Sequence, residues 1–211
     1  MFDFANSGYA TVVLTTIYNA YFVAVIAADM REGAGTLLWS LAVGVGNAIV
    51  LVSGPVVGAI ADARAWKKRL LVITTIGCTI ATATLGLVQP GDVVLAMAVF
   101  VVSLVMFTSG ENLVSAFLPE IVPPEKIGRM SGYGWGLGYL GGFATLAVCL
   151  AYASWARDRG VTEAELVAVA LAIAAGTFAL AATPTFLWLR ERGAGASGSG
   201  AYLRMGLERV K

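Results

Sequence analysis

The chain has 211 residues, of which 58% are hydrophobic and only 13% charged, with a net charge of +1 and no histidine. Soluble domains carry roughly a quarter charged residues, so an ordinary soluble fold is excluded. So small a net charge, with its cations set beside apolar stretches, offers nothing for a nucleic acid to hold.

A bilayer core takes about 20 apolar residues of helix, and the sequence predicts six such spans, at residues 4–28, 37–61, 70–88, 93–117, 130–155 and 166–189. Strand-period alternation is absent, and β-barrel segments are nearer ten residues long. The expected fold class is all-α membrane, with residues 1–189 as a six-helix transmembrane bundle and 190–211 as a cytoplasmic linker or tail. The opening lacks the basic region and short apolar core of a cleaved signal, so the first span is expected to be retained.

The first span opens on Asp3, Asn6 and Ser7, which share one helical face, and carries Tyr18, Asn19 and Tyr21 deeper along its length. The second ends in Gly54, Gly58 and Asp62, spaced by four, with Pro55 between them and Arg64, Lys67, Lys68 and Arg69 following. Small residues at that spacing admit a neighbouring helix closely. An acid one turn further on can pair locally or cap a helix N-terminus, so residues 54–69 read either as a gating loop or as a plain helix end with an orientation signal. The third span holds Cys78 and the fifth Cys149, both in apolar surroundings that argue against a disulfide framework or a zinc site.

The fourth span contains Glu111 and Asn112 in an otherwise apolar run. An ionisable group inside a membrane span is a functional hypothesis by default; the alternative is a side chain that snorkels to the nearby surface. The fifth span places Gly134, Gly138, Gly141 and Gly142 along one flank and Gly132 and Gly136 along another. The first flank reads as a helix-packing seam, either sliding or static. Trp39, Trp66, Trp135 and Trp155 are expected mostly at membrane interfaces, where indoles concentrate.

Loops after the second, fourth and sixth spans carry eleven Lys and Arg residues, against three after the first, third and fifth. The positive-inside rule then puts both termini in the cytoplasm, in the inner membrane if the source is prokaryotic. Residues 193–200 have the composition of a flexible linker, and 201–211 read either as an amphipathic segment on the inner membrane surface or as more linker. The sequence holds no P-loop, no His-Glu-x-x-His and no Ser-His-Asp set, so no enzyme activity, cofactor or metal is expected.

Gly58-Ala59-Ile60-Ala61-Asp62 with its basic cluster resembles the loop between helices two and three of the major facilitator superfamily, although Ala63 and Ala65 stand where that pattern has a basic residue and a glycine. Phe2-Asp3-Phe4-Ala5-Asn6-Ser7 and Ser131-Gly132-Tyr133-Gly134 through Gly142 resemble its vacuole-effluxer-like branch of amino-acid effluxers. Val114 to Pro119 keeps only the second half of that branch's aromatic-Asn-Ala-x-Leu-Pro run.

The resemblance implies a secondary active transporter working by alternating access between two six-helix halves, with this chain as the N-terminal half. It also implies that the first and fourth helices face a common cavity, where Asp3, Asn6, Ser7, Glu111 and Asn112 would meet a small solute and a proton, with Asn19 along the same path. Amino-acid or metabolite efflux is the activity it suggests. The expected partners are the lipid bilayer, the solute, and a C-terminal six-helix half or a second copy of the chain. Two rivals stand beside it: a non-transporting membrane scaffold or assembly subunit, and a six-helix carrier active only as a dimer.

Overall fold

The structure, a computed structural model, describes residues 1–189 and 191. Among them six helices are long and apolar enough to cross a membrane, and no strand occurs. They are α1 (Phe2–Ile26), α2 (Ala34–Arg64), α3 (Lys67–Leu85), α4 (Val93–Ile121), α5 (Ile127–Arg157) and α6 (Glu163–Trp188). Arg190 and the tail at 192–211 lie outside the described residues.

The break expected at residues 62–69 narrows to Ala65 and Trp66. Ala65 takes a left-handed conformation with φ 50°, and the Trp66 N–H bonds back to the Ala61 carbonyl at 2.9 Å. These are the features of a helix C-terminus that closes on its own last carbonyls. Asp62 and Arg64 therefore sit in the last turn of α2, while Lys67, Lys68 and Arg69 form the first turn of α3. α4 runs four residues further than the apolar stretch alone predicts. It stops where Val122, held extended at φ −128° and ψ 132°, precedes Pro123, because a residue before proline is pushed out of the helical region. α6 begins at a capping box in which the Thr162 hydroxyl accepts from the Glu165 N–H, and the Glu165 carboxylate accepts from the Thr162 N–H.

α1 departs from a plain helix. It widens into π-helical turns over Ala10–Thr16 and again over Phe22–Ile26. Side chains of the same helix add hydrogen bonds to its carbonyls along this stretch. Thr15 Oγ1 donates to the Thr11 carbonyl at 3.0 Å, Thr16 Oγ1 donates to that same oxygen, and Asn19 Nδ2 donates to the Leu14 carbonyl at 3.3 Å.

The packing has an internal symmetry. α1 lies against α5 and α6, α4 lies against α2 and α3, and α3 packs on α6. Exchanging helices one to three with helices four to six maps this pattern onto itself. The two triplets thus share these principal contacts, α1 with α5 and α6 answering α4 with α2 and α3. A buried polar chain fastens the triplets together: Ser103 Oγ of α4 donates to Tyr9 OH of α1 at 2.8 Å and lies 3.3 Å from Thr82 Oγ1 of α3. The Tyr9 ring stacks on Phe107 with centroids 4.4 Å apart.

Trp39, near the start of α2, faces the bundle core. It is 7% exposed and packs between Phe100, at 4.2 Å between ring centroids, and Phe22, at 5.5 Å. The aromatic payload of α1 and α4 reaches it there, and an indole in such a cluster gains more from packing than from an interface. Large apolar side chains such as Val94 and Leu180 point outward instead, which is normal where lipid is the solvent.

Candidate functional site

The two polar ends predicted on α1 and α4 meet. Asp3, Asn6 and Ser7 from α1 and Glu111, Asn112 and Ser115 from α4 line one open cavity of about 420 Å³. Asn6 Nδ2 donates to Glu111 Oε1 at 2.7 Å, across 105 residues of sequence. Asn6 is buried, whereas Glu111 is exposed toward open space. α5 closes the wall with Trp135, Gly138 and Tyr139. Trp135 and Tyr139 were not among the site residues expected from sequence; one helical turn apart, they present rings with centroids 6.2 Å apart.

Asn19 is not part of this lining. Its amide donates to the backbone of its own helix, at the Leu14 carbonyl within the π-helical segment. It therefore serves the shape of α1, two turns beyond the cavity.

The glycines of α5 explain how α1 comes so close. A Cβ at Gly134 would strike the Asp3 carboxylate, and one at Gly138 would stand 2.7 Å from Ser7 Oγ. At Gly141 it would enter the backbone carbonyl of Phe4, and at Gly142 it would lie 2.7 Å from Thr11 Oγ1. These four positions form the α1–α5 seam, and they set the cavity floor by letting Asp3 and Ser7 rest on bare backbone. At Gly132 and Gly136, on the other flank, an added Cβ would meet nothing within 4 Å.

A second cluster forms at the α2–α3 turn. Lys67 Nζ lies 2.9 Å from Asp62 Oδ1 and 2.6 Å from Glu120 Oε1, so one cation bridges the ends of α2 and α4. The Glu191 carboxylate accepts from the backbone N–H groups of Lys67 at 2.9 Å and Lys68 at 3.4 Å. It thereby covers the N-terminus of α3, where unpaired N–H groups and the helix dipole favour an anion. Arg64 and Arg69 both lie over the Trp66 ring, at 4.7 and 5.7 Å from its centroid. Lys68 contributes its backbone here.

Glu120 and Glu191 escaped the sequence reading. The only signal for them was acidity at helix ends on the side dominated by cations. Gly54 and Gly58 border a cavity of about 260 Å³ with Asp62, Lys67 and Asn112, and neither glycine has an atom within 4 Å of where a Cβ would stand. Asn112 borders both cavities, so the acidic one and the charged turn share a wall.

Six helices long and apolar enough to cross a membrane, with ionisable and amide groups converging between α1 and α4, define an integral multi-pass membrane protein. The comparisons make this specific. The chain belongs to the family described as vacuole effluxer Atg22 like, whose sequence profile matches residues 35–211. It is also 25% identical over 152 residues to the uncharacterised MFS-type transporter YxiO of Bacillus subtilis (strain 168). That match spans 72% of this chain and 36% of the relative, so the chain covers about a third of that protein's length. No solved structure matches.

Proposed function

We propose that this chain is the N-terminal six-helix half of a secondary active transporter that exports small solutes by alternating access. Both termini would lie in the cytoplasm, and the cavity between α1 and α4 would be the solute and proton site. The observation that carries this reading is the Asn6–Glu111 contact at the head of that cavity. An intramembrane carboxylate held by an amide and left open on its other side is a group that can exchange a proton or a ligand.

The charged turn is assigned to gating. Lys67 bridges Asp62 and Glu120 beside a cavity that the bare backbone of Gly54 and Gly58 keeps open. A second helix surface, from a C-terminal half or another copy of the chain, would close on that face, and the ion pairs would break and re-form as it moves. Family membership supports transport in general, and the efflux of amino acids or other metabolites is the resemblance's suggestion.

The test is solute uptake and release in vesicles carrying an imposed proton gradient, comparing the native protein with Glu111→Gln. Gradient-driven flux is expected to fall by at least tenfold in the variant, while exchange without a gradient persists. Normal gradient-driven flux by Glu111→Gln would refute the coupling assignment. Absence of any flux in a broad metabolite screen would favour the scaffold reading.

A further inference from the structure

We infer that Glu191, in the chain that leaves α6, is the positioning residue of the charged turn: by capping α3 it holds Lys67 across the ends of α2 and α4, so that displacing this chain opens the bridge. The inference rests on the gating role assigned to the turn and adds what controls it.

The start of α3 has no cap of its own. Its N-cap position is Trp66, whose side chain makes no capping hydrogen bond, and an indole offers a donor where an acceptor is needed. The first turn then carries Lys67, Lys68 and Arg69, three cations at the end of a helix where the dipole already places positive charge. Both defects call for the same remedy, an anionic acceptor. Glu191 brings it from 124 residues away. One carboxylate oxygen accepts from the Lys67 N–H at 2.9 Å and the other from the Lys68 N–H at 3.4 Å. Two successive donors that no helical carbonyl can reach are thus met by the two oxygens of one planar group. An amide in its place would have a single oxygen to accept with.

Lys67 is where this contact meets the gate. Its backbone N–H is held by Glu191, while its Nζ lies 2.9 Å from Asp62 Oδ1 and 2.6 Å from Glu120 Oε1. Fixing the first turn of α3 fixes the point from which the ammonium reaches, and the Lys67 side chain is only 13% exposed, so it has little room to follow if that turn shifts. Without the carboxylate the turn frays, as weakly held helix ends do, and the bridge loses its footing. α2 and α3 share little packing beyond their common turn, so the turn and its ionic bridge are what tie their ends together. In the transporter reading the chain beyond α6 leads toward the second half. Its displacement would reach Lys67 through Glu191.

The test measures the separation of the α2 and α4 ends in lipid nanodiscs, with spin labels at Ala63→Cys and Ile121→Cys and double electron–electron resonance as the readout. Cys78 and Cys149 are buried and stay unlabelled while the bundle is folded. Glu191→Gln is expected to raise the ratio of separated to closed pairs by about two- to fivefold, in line with the loss of an anion at a helix N-terminus. Lys67→Met should raise it by about tenfold, since it leaves two carboxylates without their shared cation. Because Glu191 acts through Lys67, the double variant should open no further than Lys67→Met alone, whereas two independent contacts would multiply.

A native ratio in Glu191→Gln beside an open Lys67→Met, or multiplied effects in the double variant, overturns the inference and leaves the gating role of Lys67 standing. A native ratio in Lys67→Met removes that gating role and the inference with it. Labelling of Cys78 or Cys149 in Glu191→Gln would show that Glu191 holds the whole bundle and not the turn, which also overturns the inference.

Discussion

On α5, a Cβ at Gly134, Gly138, Gly141 or Gly142 would strike α1, whereas on α2 the positions of Gly54 and Gly58 open onto a cavity with nothing near them. Both helices carry glycines four apart, and spacing alone would assign them the same role. The difference is that the partner of the α5 flank is already packed against it, while Gly54 and Gly58 face a cavity whose other wall is formed by Ser109, Asn112, Leu113 and Ala116 of α4. Close-packing glycines report that a backbone can approach; where the approaching backbone is, and whether it stays, is a separate fact. The α1–α5 seam is thus a structural joint that shapes the acidic cavity, and the α2 face is the one we propose for motion or assembly.

The largest effect should come from the joint. Gly141→Ala drives a methyl group into the Phe4 carbonyl, and backbone, unlike a flexible side chain, cannot step aside. Overpacking of this kind is destabilising by about 1–3 kcal/mol or more, so thermal unfolding in nanodiscs is expected to shift sharply downward. An unshifted midpoint would mean that the seam is loose enough to slide.

The charged turn comes next. Lys67→Met leaves the Asp62 and Glu120 carboxylates without the cation they share, and Glu120 Oε2 is already buried without a partner. A loss of about 1–3 kcal/mol is expected, largely restored in Lys67→Arg; equal loss in both variants would show that the stem of Lys67 matters more than its charge.

Glu191→Gln should remove about 0.3–1 kcal/mol, the worth of an anion at a helix N-terminus. Its effect should diminish in high salt, and insensitivity to salt would point to the hydrogen bonds instead of the dipole. Gly58→Ala should be the mildest for folding, within about 0.5 kcal/mol, because the added methyl meets open space. In a flux assay the same change is expected to lower transport several-fold. Unaltered stability together with unaltered flux would remove the α2 face from the mechanism.

Much of the lining of the α1–α4 cavity is legible in the sequence. Asp3, Asn6, Ser7, Glu111 and Asn112 stood out because polar groups in apolar spans are conspicuous, and opposite helix directions put them at similar depth. What could not be read was which neighbours each would keep. Asn19 looks like a path residue in the sequence, yet its amide goes to a carbonyl within a π-helical stretch, a distortion that hydropathy does not register. That Trp39 would turn inward onto Phe100 is equally hidden in the sequence. Trp135 and Tyr139 were hidden for the opposite reason, since aromatic residues in a membrane helix are ordinary until two of them border the same acidic cavity. Glu120 and Glu191 are charges at helix ends, and only the packing of α4 and the chain after α6 against the start of α3 gives them partners.

By itself the sequence determined the number of spans, the all-helical membrane class and the residues whose polarity demands an explanation. Those follow from local properties: a bilayer excludes unpaired backbone groups, so about 20 apolar residues in a row leave the chain no other regular structure. Tertiary structure alone decided that Asn6 would give its amide hydrogen to Glu111. It also decided that one set of glycines would be filled and another left bare. Pairings across 105 residues, as between Asn6 and Glu111, depend on how helices rotate and cross, and side-chain packing fixes those angles only when all six helices are in place.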